Sequence, residues 1–265
     1  MRSLAYRTDL MIRRLAGAEI TAYDDHVVVR TPHNPDFWWG NFVLLREPVG
    51  RGAASRWTDV FAGAFPDARH LALGIDGTDG RPGDAGDVAL LGVEVDVLTV
   101  LTARGLPPPA VEPAYDCRRL RSDDDWQQLL ALRAACTDGD DGSDARVFRE
   151  RSVREIHGIT GAGHGAWFGA FLDGVMRAGL GIFSDRAGVA RYQAVETHPD
   201  FRRRGLATAL LHAAGLHATG QLDAHTLVIV ADTGSDALRL YRSIGFAGAE
   251  RQVQLLRPPE QARRS

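Results

Sequence analysis

An apolar run, Ala190–Val195, enters the arginine-rich turn Pro199-Asp-Phe-Arg-Arg-Arg204 and leaves it through Gly205 into Leu206-Ala-Thr-Ala-Leu-Leu211. The apolar run predicts a buried strand. Leu206, Leu210, Ala213 and Ala214, spaced i, i+4, i+7 and i+8, predict an amphipathic helix. A strand, a short turn and a helix start constrain both fold and chemistry. The first-turn amides have no carbonyl partner, the helix dipole favours an anion, and the missing side chain at Gly205 lets a phosphate approach closely. A run of arginines alone is ordinarily a solvated face. Followed by a glycine and a helix, Arg202, Arg203 and Arg204 read as the positive mouth of a pyrophosphate cradle.

A second feature lies downstream. Thr226–Asp232 reads as a buried strand, and Ala237-Leu-Arg-Leu-Tyr-Arg-Ser-Ile-Gly-Phe246 follows it. Ala237, Tyr241 and Ile244 share a helix face, so Tyr241 alone reads as a packed residue. Gly245 reads as the left-handed residue that ends the helix, with Phe246 making the accompanying apolar contact. Arg202, Gly205 and Ala207 in the pattern Arg-x-x-Gly-x-Ala, together with Ala237-x-x-x-Tyr241-x-x-x-Gly245-Phe246, resemble the GNAT superfamily of acyl-CoA-dependent N-acyltransferases.

That resemblance covers the C-terminal part of the chain. It implies an α/β (α+β) fold with a mixed, mostly antiparallel sheet flanked by helices. It also implies acetyl-CoA as co-substrate and direct acetyl transfer to a primary amine of a small molecule or peptide. The pyrophosphate is expected on backbone amides of Arg203, Arg204, Gly205, Leu206, Ala207 and Thr208, beside Arg202. The pantetheine arm is expected along Val195, Glu196 and Thr197 as an added strand. An amide of that strand would serve the oxyanion, and Tyr241 would protonate the departing thiolate. Two departures stand out: Gln193 lies where some members carry a glutamate base, and Gly234 lies where many carry asparagine. Glu196 and His198, on the same side of the strand and opposite Val195 and Thr197, remain as base candidates or as solvated strand-end residues. Two other readings are an acetyltransferase of protein N-termini or lysines, and a non-catalytic acyl-CoA-binding regulator. The presence of Tyr241 counts against the second. Acceptor loops vary freely on one scaffold, so the acceptor itself is not written in these residues.

At 265 residues, two domains are the default. Four prolines within Gly105–Pro113 mark a linker, which gives an N-terminal domain over 1–107, a linker over 108–114 and a catalytic domain over 115–258. In the N-terminal part, His26–Arg30, Phe37–Arg46 and His70–Ile75 read as strands and Ala54–Phe65 as a helix. The order repeats strand, loop, helix, strand, but the loop Glu47–Gly52 lacks the arginine–glycine pattern. A degenerate GNAT-like half that binds no CoA is therefore expected. Phe37-Trp38-Trp39 reads either as packing into its own core or onto the other domain, or as a wall of the acceptor pocket. In the C-terminal part, Asp116–Leu120 reads as a strand, and Asp123–Ala135 and 146–159 as helices around an acidic loop, Thr137–Asp144. Strands Ala166–Leu172 and Val175–Phe183 are joined by an Asp173-Gly174 hairpin turn.

Composition removes other classes. The net charge is −3, which points to neither nucleic-acid nor membrane partners. The 31 basic residues are all arginine, which reads as the coding bias of a GC-rich bacterial genome. Cys117 and Cys136 lack metal or disulfide-framework spacing and read as free thiols in a reducing cytoplasm. No run has the length of a leader core or a membrane span, so a cytoplasmic monomer or homodimer is expected. No metal is expected: the histidines form no HExxH, His212 and His217 lie on different helix faces, and Asp138, Asp140, Asp141 and Asp144 fail the calcium-loop spacing. Gly179-Leu-Gly181 begins a dinucleotide fingerprint, but no helix follows it.

Overall fold

The computed structural model describes residues 1–109, 115–137 and 143–259, the side chains of 143 and 144 excepted. Its elements run α1 (Leu4–Leu15), β1 (Glu19–Ala22), β2 (His26–Arg30), β3 (Phe42–Leu45), α2 (Ala54–Ala64), β4 (Leu71–Ile75), α3 (Ala85–Leu90) and β5 (Glu94–Ala103). They continue β6 (Asp116–Arg119), α4 (Asp123–Cys136), α5 (Ser143–Gly161), β7 (Gly165–Leu172), β8 (Val175–Phe183), β9 (Val189–Thr197), α6 (Leu206–Gln221), β10 (Thr226–Asp232), α7 (Asp236–Ser243) and β11 (Ala247–Arg257). They gather into two compact units. The first takes residues 1–100, 230–235 and those from 248 onward; the second takes 101–229 and 236–247.

In the first unit the strand order is β1-β2-β3-β4-β11-β5. β2 and β3 are antiparallel, β3 and β4 parallel, and β4 and β11 antiparallel with Val253 opposite Ile75 and Leu255 opposite Leu73. The apolar runs of β2, β3 and β4 are buried along most of their length, and Trp57 and Phe61 of α2 close the core over them. Helix α1 starts at Ser3, whose hydroxyl accepts the Tyr6 amide, and the Tyr6 hydroxyl donates to the Val253 carbonyl at 2.5 Å. The sequence reading ends the second domain at residue 258, whereas residues 253–257 pair with β4 of the first unit.

The expected strand Phe37–Arg46 is shorter than its composition suggests. Trp38–Gly40 form a 3-10 turn, and only Phe42–Leu45 are strand. Asn41 is the cause. Its side-chain amide donates to the carbonyls of Asn34 and Phe37, both at 2.9 Å, while its oxygen accepts the Thr31 amide at 2.9 Å. The three aromatics pack inside this unit: Arg13 lies over Phe37, Trp38 stacks on His70, and Trp39 meets Phe42 edge-on.

In the second unit the order is β10-β9-β8-β7-β6, with β9–β10 parallel and the rest antiparallel. The β7–β8 hairpin turns at Asp173 and Gly174, both at positive φ, as their sequence predicts. Gly181 belongs to β8 and not to a dinucleotide loop; a Cβ there would fall 2.5 Å from the buried Trp167 ring. Helix α4 opens with a capping box between Ser122 and Asp125, and Arg118 grips the same carboxylate with two hydrogen bonds of 2.8 Å. Residues 138–142 of the acidic loop and 110–114 of the proline segment lie outside the described residues. Cys117 and Cys136 form no disulfide. Among the described residues, no helix is long and apolar enough to cross a membrane, and no group of three or more metal-ligating side chains is gathered.

Candidate active site

The site is built on β9, the turn after it and α6. Between the pairs Gly181–Gln193 and Gly179–Glu196, β9 carries one more residue than β8. Ala194 absorbs it at φ 44, so the strand bulges there. On the other edge, the ladder with β10 runs only from Val189 to Arg191, although β9 continues to Thr197. The two parallel strands therefore part, and the polar backbone edge around Val195, Glu196 and Thr197 is offered to an extended ligand that carries its own amides.

The turn reverses the chain with little apolar surface of its own. Pro199–Phe201 form a 3-10 turn capped by His198, whose Nδ1 accepts the Asp200 amide at 3.3 Å. Arg202 donates from Nε to the Thr197 carbonyl at 3.3 Å. Arg203 and Gly205 both take left-handed backbone, at φ 63 and 80. Gly205 is the N-cap of α6, and a Cβ there would meet nothing within 4 Å, so the space before the helix is open. The helical ladder begins with the Ala209 amide on the Gly205 carbonyl at 3.1 Å, leaving the amides of Leu206, Ala207 and Thr208 ahead of it. Leu206, Leu210 and Ala214 are buried and anchor this end of the helix, whereas Ala213 is only half-buried. The side chains of Arg202, Arg203 and Arg204 are exposed, and Arg204 lies with Arg177 against the Phe201 ring. The residues present fit a pyrophosphate: open space, orphan amides, a helix N-terminus and three cations.

Glu196 is not a solvated strand end. Its side chain is three-quarters buried, and its Oε2 accepts a hydrogen bond from Arg133 Nε of α4 at 3.3 Å. Arg133 in turn lies over the Trp167 ring. Burial pushes the Glu196 carboxyl above its ordinary range, and the neighbouring Arg133 charge offsets only part of that rise. A carboxylate shifted upward takes a proton more readily than a free one, the direction that general-base work calls for. The α4 sequence gave no signal for Arg133, because its partner is 63 residues away.

Tyr241 is buried on α7, edge-on to Phe246, and Phe246 meets Tyr192 of β9 in the same manner. The α7 terminus closes as expected, with Gly245 at φ 107 and the Phe246 amide on the Tyr241 carbonyl at 3.1 Å. Tyr192 donates its hydroxyl to the Leu211 carbonyl at 2.7 Å, locking β9 to α6.

The first unit repeats the layout, with α2 between two parallel strands, but fills its helix start. Asp87 accepts the amides of Gly52 and Ala54 at 2.8 and 2.9 Å, standing where α6 leaves open space. Those amides, Ala54 first, hold the Asp87 carboxyl below its ordinary range.

A profile of the acetyltransferase (GNAT) family matches residues 126–246. That segment is a GNAT domain. It makes the chain an acyltransferase that draws its acyl group from acyl-CoA. No curated protein matches the chain in sequence. Among solved structures, a conserved Staphylococcus epidermidis protein of unknown function superposes with a TM-score of 0.71 at 13% identity, over 90% of this chain and 93% of that one. A GCN5-related N-acetyltransferase from Kribbella flavida gives 0.65 at 16% identity over 97% of both chains. A tandem GNAT protein from the clavulanic acid biosynthesis pathway gives 0.54 at 16%, over 93% of this chain and 87% of that one. The chain therefore shares its fold, along most of its length, with solved GNAT proteins.

Proposed function

We propose that this protein is an N-acetyltransferase that moves the acetyl group of acetyl-CoA directly to a primary amine of a small molecule or peptide. The observation that carries the reading is the open amide edge of β9 running through an arginine turn into the Gly205 helix start, with a buried carboxylate, Glu196, on the same strand. Acetyl-CoA supplies an activated thioester; the protein supplies position and proton transfer. Amides of Arg203 to Thr208 hold the pyrophosphate, and Val195 to Thr197 align the pantetheine arm. A backbone N–H of the same strand meets the oxygen that gains charge during transfer.

We assign the base to Glu196. His198 holds the Asp200 amide at Nδ1 and caps the turn, whereas Glu196 is buried beside Arg133. Tyr241 returns a proton to the departing thiolate. The test is CoA release from an amine panel, followed across pH. Because Glu196 must be ionised to act, kcat/KM should rise with pH through its elevated pKa, on an acid limb above the usual carboxylate range. Glu196→Gln should lower kcat/KM by roughly 10²- to 10⁴-fold and erase that limb, and Tyr241→Phe should cost about 10²-fold with little change in CoA affinity. An unaltered acid limb in Glu196→Gln would move the base elsewhere.

A further inference from the structure

The second unit holds a cavity of about 360 Å³ away from the cradle. It is lined by Arg119 at the end of β6, Arg121 just after it, Thr160 at the end of α5, Arg186 in the β8–β9 turn, and His217 and Gln221 in the last turns of α6. The cradle occupies the first turn of that same 16-residue helix. At 1.5 Å per residue the two sites stand about 20 Å apart. The cavity volume lies within the range of small-molecule sites.

Three guanidinium groups line this space and no carboxylate does. Arg119 and Arg121 flank the buried Leu120, whose amide continues the ladder onto the Trp167 carbonyl at 2.8 Å. Two residues apart on extended backbone, they project to one side. Among the described residues, neither guanidinium has a hydrogen-bond or ion-pair partner. Arg186 is fixed: it donates to the Gln221 carbonyl at 2.9 Å and the Gly163 carbonyl at 3.4 Å, so it ties the α6 end to the α5–β7 turn. Its nearest counter-charge, Asp223, is three-quarters exposed at 3.5 Å. The Thr160 hydroxyl is buried with no partner among the described residues. Arg119 and Arg121 are exposed at the rim and solvated, and an anion with several charges would replace that water with charge-assisted hydrogen bonds. Burial lowers the His217 pKa, and Arg119 and Arg186 lower it further, which reflects the uncompensated positive field.

We propose that this cavity binds a small anion carrying two or more negative charges, held by Arg119, Arg121 and Arg186. Phosphoryl anions and polycarboxylates share that chemistry. The test is calorimetric titration of the full chain with pyrophosphate and, separately, with citrate, both at saturating CoA so that the cradle is filled. One saturable anion per chain is expected, with His217 ring resonances shifting during the titration. The tighter of the two probes gives the chemical source. Arg119→Gln with Arg121→Gln should weaken binding about tenfold or more, since two charge-assisted contacts are lost, while CoA affinity and melting temperature hold. Absence of saturation with both probes would overturn the proposal. So would equal affinity in wild type and double variant, or a His217 signal that does not move.

Discussion

At the scale of single residues, the site depends on an absence. Gly205 adopts φ 80 with open space where its Cβ would be. A side chain there would be strained by the backbone and would intrude on the anion. Gly205→Glu adds a negative charge at the same point. We expect calorimetry to find one CoA per chain in the wild type and none in Gly205→Glu, with the variant still folded by circular dichroism. Unchanged binding in the variant would remove the cradle from the cofactor site. A stoichiometry of two would show that the first unit binds CoA despite Asp87.

At the scale of elements, α2 and α6 show two ways of satisfying a helix start. In α6 the first amides precede the ladder and face open space; in α2 the chain supplies its own anion, Asp87. Because the folded pKa of Asp87 is depressed, its contribution is present above the unfolded carboxylate pKa and is lost as pH falls through the lower folded value. Asp87→Asn should therefore melt below wild type at pH 7, and calorimetric melting temperatures should converge as the pH drops below about 4. Equal melting at pH 7 would make the cap irrelevant. Elements with strong local patterns were legible from sequence: β2, β8 and β10 have the bounds their apolar runs predict. The cradle was legible because a turn and a helix start are local. What escaped the reading depends on distant partners. Helix α1 is organised around Tyr6, whose hydroxyl reaches Val253, and the Glu196 environment is made by Arg133 and Trp167. The strand expected over Phe37–Arg46 is interrupted because Asn41 spends its side chain on backbone groups of Asn34 and Phe37.

At the scale of the whole molecule, the segment that matches the family ends at residue 246, but the fold does not end there. β11 follows, and its fully covered Val253 and Leu255 belong to the core of the first unit. Each such side chain contributes about 1.5–3 kcal/mol by burial, a sizeable part of the roughly 5–15 kcal/mol that holds a domain together. A chain stopped after Ala247 keeps all the proposed site residues. It should nevertheless lose the cooperative unfolding of the first unit, read from tryptophan fluorescence in urea. A full-length-like transition would show that β11 is dispensable. The pairing of Leu255 with Leu73 also sets a clock. The ribosome makes β4 early and its partner about 180 residues later, a delay of roughly 10 to 40 s at 5–20 residues per second. Throughout that interval the nascent chain carries an apolar strand with one open edge, the form most prone to wrong pairing. The unit begun first is therefore finished last, and any chaperone acting on this chain has to cover that strand until β11 is made.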